Sequence, residues 1–163
     1  VEIAEDTFRR LGIQPAILQS EHLALHNYLG FEHLRADNGD GKGGATVLLD
    51  MGARGTNMIV HSSRYLWGRY LGVGGHAFTR AILHEFCLTL HQAEAWKRDP
   101  SRVDRWSRWE AALGSGFESF SNELASALDA FAKDHPKERI ERILTVGGGV
   151  QMHGVLRYLR TGR

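Results

Sequence analysis

Apolar positions change their spacing several times along this chain, and each change marks an element. Ile3, Phe8 and Leu11 recur among charged residues over 2–11, an amphipathic helix that Gly12 ends. Pro15-Ala-Ile-Leu18 predicts a short strand, and Leu23, Leu25 and Leu29 behind Ser20 predict a second helix over 20–29. The pattern then becomes continuous. Ala45-Thr-Val-Leu-Leu-Asp50 is apolar with β-branched members, as a buried strand requires. Thr56-Asn-Met-Ile-Val60 and Tyr65-Leu-Trp-Gly-Arg-Tyr-Leu71 follow through tight turns and predict an antiparallel meander.

From His76 to Lys97 no breaker interrupts Phe78, Ile82, Phe86 and Leu90, so one long helix is expected, stopped by Asp99-Pro100. Phe117, Phe120, Leu124, Leu128 and Phe131 predict another from Ser115 to His135, ended by Pro136. Ile140–Val146 predicts a fourth strand, and Gly154–Leu159 a last helix. Helical crossovers favour a parallel return, so 140–146 is expected beside 45–50 in one sheet. A further strand is expected beyond. With no starting Met and an end just after a helical pattern, the chain is expected to be a piece of a longer protein.

Composition adds limits. The 163 residues are 42% hydrophobic and 24% charged, which excludes a disordered or collagen-like chain. A formal net charge of +1 gives no global field for nucleic acid or an anionic membrane. No apolar run approaches the roughly 20 residues needed to span a bilayer, so no direct membrane insertion is expected. Cys87, the single cysteine, cannot form an internal disulfide, and its apolar helical setting reads as a small core residue.

Glycine is the outlier, with nineteen residues against a usual share of about 7%. Gly39, Gly41, Gly43 and Gly44 lie in the polar stretch 36–44, a flexible connector. The others punctuate apolar segments: Gly52 and Gly55, then Gly72, Gly74 and Gly75, then Gly147, Gly148 and Gly149. Glycine just after a strand permits a tight turn or a close ligand.

Several familiar patterns are incomplete. His84-Glu85 begins a zincin motif, but Leu88 stands where the second His is needed. His22 and His26 are one turn apart without a third ligand, and Gly41-Lys42 lacks the rest of a P-loop. Gly114-Ser-Gly116 is too short for a nucleophile elbow. The basic stretch from Trp96 to Trp109 carries three tryptophans, yet Trp106 and Trp109 are spaced to bury one helix face. Packing is the favoured reading, ahead of a protein-partner surface and of binding to nucleic acid.

What remains carries a resemblance. Asp50-Met-Gly-Ala-Arg-Gly-Thr56, then Gly74-Gly-His-Ala-Phe-Thr79, Ala93-Glu-Ala-Trp-Lys97 and Val146-Gly-Gly-Gly-Val150 resemble, in that order, the second half of an actin-like ATPase. The PilM type of type IV pilus assembly protein is the nearest likeness, and the cell-division protein FtsA a more distant one. The implied fold is α/β and ribonuclease H-like: a mixed sheet, antiparallel in its first three strands, with helices on its faces. Residues 1–35 would be the tail of a preceding domain or linking helices, 36–44 the connector, and 45–163 a second domain truncated at its C-terminus.

The resemblance also implies a site. Backbone N–H groups of a hairpin can face phosphate oxygens, and a carboxylate at a strand end can hold Mg²⁺ through water. An ordinary glycine hairpin has the same pattern. The family assigns Asp50 to the metal, with Gly52, Ala53, Gly55 and Thr56 lining the phosphates of ATP. Gly147, Gly148 and Gly149 would be the adenosine loop, although a triple glycine is also a common turn. Glu94 and Lys97 would lie beside the ribose and base, or form a solvated pair on one helix face. Gly74, Gly75 and Thr79 read as structural. Arg54 departs from the small residue usual in relatives, and either adds a phosphate contact or fills the site.

The implied setting is cytoplasmic, peripheral to the inner membrane through pilus-assembly partners, with self-association as a further option. The preceding domain would supply the other phosphate loop and the residue that polarises water, so this piece is expected to be inactive alone. The alternatives are a degenerate scaffold that only binds proteins and, less favoured, a sugar kinase of the same superfold. The nucleotide reading requires both glycine turns, at Gly52–Thr56 and Gly147–Gly149, at one end of the sheet.

Overall fold

A computed structural model describes residues 2–36, 44–62 and 64–161. Two helices, α1 (Glu2–Arg10) and α2 (Glu21–Ala36), precede three strands, β1 (Ala45–Met51), β2 (Thr56–His61) and β3 (Leu66–Leu71). Helices α3 (Gly75–Phe86), α4 (Leu90–Arg98) and α5 (Trp106–Asp134) lead to β4 (Ile140–Val146) and α6 (Val155–Thr161). Most of the connector, residues 37–43, lies outside the described residues.

The four strands form one sheet in the order β3-β2-β1-β4. β1 runs antiparallel to β2, with Val47 opposite Val60 and Asp50 opposite Asn57, and β2 antiparallel to β3. β4 returns parallel to β1, with Asp50 opposite Val146. This is the expected mixed sheet. The uninterrupted apolar run of β1 follows from burial on both faces. Val47, Leu49 and Met51 join the main core with Phe78, Ile82, Trp109, Phe120 and Phe131. Leu48 turns the other way and packs with Ile59 under Leu29 and Leu25 of α2. Fully burying one such side chain is worth about 1.5–3 kcal/mol, so β1 anchors the sheet.

Four expectations change. Pro15–Leu18 forms no strand: Ile17 is 80% exposed and the described residues offer that segment no partner strand. The long helix over 76–97 is two. Cys87 caps α3 with left-handed backbone (φ 52°), and Thr89 starts α4 through a capping box with Gln92. Two helices at an angle bury Phe86 against both Trp96 and Trp109, which one straight helix could not. Cys87 is therefore an exposed turn residue and not part of the core. Finally, α5 starts nine residues before Ser115 and runs through Gly114 and Gly116. Glycine costs a helix about 1 kcal/mol. Burial of Trp109, Leu113 and Phe120 along the same helix outweighs it.

Trp109 is buried while Trp106, three residues earlier, is 45% exposed. No helix among the described residues is long and apolar enough to cross a membrane. No group of three or more His, Cys, Asp or Glu able to hold a metal occurs among them.

Candidate functional site

β1 ends at Met51, and the turn to β2 closes when Gly52 N–H donates to Gly55 O at 2.9 Å. The turn is pinned from behind by α3. Gly75 N–H donates to Gly52 O at 2.9 Å and His76 N–H to Ala53 O at 2.7 Å. These bonds take up the carbonyls of Gly52, Ala53 and Gly55 and leave the amides of Ala53, Arg54 and Gly55 without a backbone acceptor among the described residues. The approach is close: a Cβ on Gly74 would come within 2.8 Å of Gly52 O and overlap Gly55 N. Thr56 faces inward, fully buried, and its hydroxyl donates to Val73 O at 2.8 Å. It secures the hairpin from within.

The triple-glycine turn lies against the same strand end. Gly147 has φ 91°, and a Cβ there would stand 2.5 Å from Asp50 Oδ1. A Cβ on Gly149 would stand 2.8 Å from Met51 O, while one on Gly148 would meet nothing within 4 Å. Both glycine turns therefore sit at one end of the sheet, side by side. The third segment joins them through backbone, because His153 N–H donates to Lys97 O at 3.0 Å.

Glu94 and Lys97 are not a solvated pair. Lys97 is buried, and its ammonium donates to Thr79 Oγ1 at 2.7 Å, Glu94 Oε1 at 2.8 Å and Gly75 O at 3.3 Å. An ammonium has three donors, so Lys97 is saturated inside the protein. Thr79 also bonds to Glu94, which makes it the centre of this network. Partial burial pushes the Glu94 carboxyl up, but hydrogen bonds from Lys97 and Thr79, with the charges of Lys97 and His76, outweigh it. The net effect holds Glu94 below its ordinary value.

On the opposite side of β1, Asp50 faces a residue that sequence reasoning missed. Glu21, first in α2, lies beside the Asp50 carboxylate, and Asn57 Nδ2 donates to Glu21 Oε2 at 3.1 Å. The bond to Asp50, then burial and the Asp50 charge, raise the Glu21 carboxyl above its usual range, against the opposing pull of His22 and Asn57. Nothing in the spacing ties residue 21 to residue 50. Only the packing of α2 across the sheet brings them together.

A mixed four-stranded sheet in the order β3-β2-β1-β4, with helices on its faces, is the fold of an actin-like ATPase domain. Solved structures agree on that frame. A PilM–PilN type IV pilus biogenesis complex superposes with a TM-score of 0.72 at 24% identity, covering 96% of this chain and 43% of that one. MreB 5 of Spiroplasma citri bound to AMPPNP follows at 0.66 and 16% identity, covering 97% and 55%. The archaeal actin homologue Ta0583 in complex with ADP reaches 0.58 at 13%, covering 81% and 46%. No curated protein matches the chain. The family described as type IV pilus assembly protein PilM matches residues 1–162, and the chain belongs to that family. It spans less than half of the chain it superposes on in that complex.

Proposed function

We propose that this chain forms one wall of a nucleotide cleft, taking ATP with Mg²⁺, in a PilM-type component of type IV pilus assembly. The observation that carries the reading is the β1–β2 hairpin. Its carbonyls are tied back to α3, and three of its amides are left for an anion. Phosphates would lie against Gly52–Gly55, with Asp50 on their metal through water. The nucleoside would lie along Gly147–Gly149, where Gly148 leaves open space. The donor set fits the ion, since Asp50 and Glu21 offer carboxylate oxygens, the ligands Mg²⁺ prefers. Bound Mg²⁺ would neutralise phosphate charge.

Glu94 and Lys97 serve the same site by position, holding α4 to the start of α3 beside the hairpin. Glu21, beside Asp50 at the start of α2, is suited to orient a water. It belongs to the segment expected as the tail of the preceding domain, which also supplies the second phosphate loop. The partner we infer is a membrane-anchored pilus-assembly protein, as PilN is paired with PilM in the superposed complex. The location that goes with such a partner is the cytoplasmic side, peripheral to the inner membrane.

Calorimetry on the fragment and on the full-length protein tests the reading. The fragment should bind ATP weakly or not at all, since each missing charge-assisted hydrogen bond is worth about 1.5–3 kcal/mol and each 1.4 kcal/mol about tenfold. The full-length protein should bind it in the presence of Mg²⁺, and Asp50→Ala should lose that binding. Equal, negligible binding by both wild-type forms favours the scaffold that binds only proteins.

A further inference from the structure

Arg54 stands at the tip of the β1–β2 hairpin, exposed, and forms no salt bridge among the described residues. Its backbone is fixed from behind, because a Cβ on Gly74 would stand only 2.7 Å from Arg54 C. A rigid backbone therefore carries a free guanidinium beside three free amides.

The surrounding charges give this cation a task. Asp50 and Glu21 crowd one side of the hairpin with carboxylate, since Asn57, opposite Asp50 on β2, donates to Glu21 Oε2. On the other side the Lys97 ammonium has no donor left, since Thr79, Glu94 and Gly75 take all three. A polyphosphate approaching the hairpin meets those carboxylates, and Arg54 is the hairpin's own counter-charge. Its planar fork suits two phosphate oxygens at once.

We propose that Arg54 determines specificity at this site: its guanidinium closes on the outermost phosphate of a bound nucleotide, so that the site prefers a triphosphate to a diphosphate. The inference rests on the nucleotide reading above. Phosphate held by the hairpin amides lies close to the backbone. An arginine side chain reaches farther than a backbone amide, so from the tip of the hairpin its guanidinium would meet a phosphate farther out. That terminal group is the one a diphosphate lacks.

The test is titration of the full-length protein with ATP and with ADP, each with Mg²⁺, as wild type, Arg54→Ala and Arg54→Lys. Arg54→Ala should weaken ATP about tenfold or more, as for one lost charge-assisted bond, and ADP less than about threefold. Arg54→Lys should recover part of the ATP affinity, and thermal unfolding of both variants should match wild type. Unchanged binding of both nucleotides overturns the proposal, as does an equal loss or tighter binding of both. If Arg54→Ala changes nothing while Asp50→Ala weakens both ligands, the nucleotide reading stands and Arg54 has no part in it. A wild-type protein that binds neither nucleotide sinks the site and this inference with it.

Discussion

Two carboxyls flank the β1–β2 hairpin, and the fold pushes them in opposite directions. Glu94, on the α4 side, sits in a closed network with Lys97 and Thr79 and is held below its ordinary value. Glu21, on the α2 side, meets another carboxylate, Asp50, and is raised. One side is neutralised from within, with every ammonium donor used. The other concentrates like charge next to open backbone amides, an arrangement that a bound cation would relieve. The contrast separates a side that is closed by its own hydrogen bonds from one that is not, although in the sequence Glu94 read as a ligand-side or solvated residue and Glu21 drew no reading.

The largest expected effect breaks the closed side. Lys97→Met leaves Glu94 and Thr79 without their shared donor, and should destabilise the protein by about 3 kcal/mol in chemical denaturation. Partial exposure of Glu94 keeps the loss at the low end of the range for buried pairs. An unchanged midpoint would mean that the network contributes little. Next comes Gly147→Val, which meets both a left-handed φ and the Asp50 carboxylate and should cost about 2 kcal/mol, read in the same way. Thr79→Val keeps the shape but removes one hydroxyl from Lys97 and Glu94, for an expected loss of about 1–2 kcal/mol.

The smallest effect sharpens the contrast through pH. Because Glu94 is lowered in the fold, its contribution to stability is present above its unfolded value near 4.5 and is lost as pH falls through the folded value below that. Glu21 behaves in the reverse sense. Its contribution is present below 4.5 and is lost as pH rises through a folded value above it. Melting curves from pH 3 to 7 should show Glu94→Gln less stable than wild type at neutral pH, with the gap closing in acid. Glu21→Gln should be slightly more stable than wild type at neutral pH, with its gap also closing in acid. Both differences shrink with added salt, Glu21 the more, because it is exposed. Shifts of the same sign in the two variants would contradict the opposed environments.

The sheet was legible in the chain because its strands are short apolar runs bounded by glycine turns, and burial on both faces of β1 demands such a run. The parallel return of β4 followed from the helical crossover before it. The hairpin and the triple glycine stood out for the same local reason, since backbone that turns sharply or approaches closely needs glycine. Less visible was the break at Cys87. Its signal, Thr89 with Gln92 three residues on, is a capping box, but the apolar spacing runs straight through it. Only tertiary packing decided that Lys97 is buried and saturated, that Thr79 joins it, and that Glu21 reaches Asp50. Those pairings join residues 18 to 29 positions apart, across separate elements. Local pattern carries information about periodicity and turns over a few residues. The charge environment of a side chain depends on which elements the core draws together, and that is set by the packing of the whole sheet and its helices.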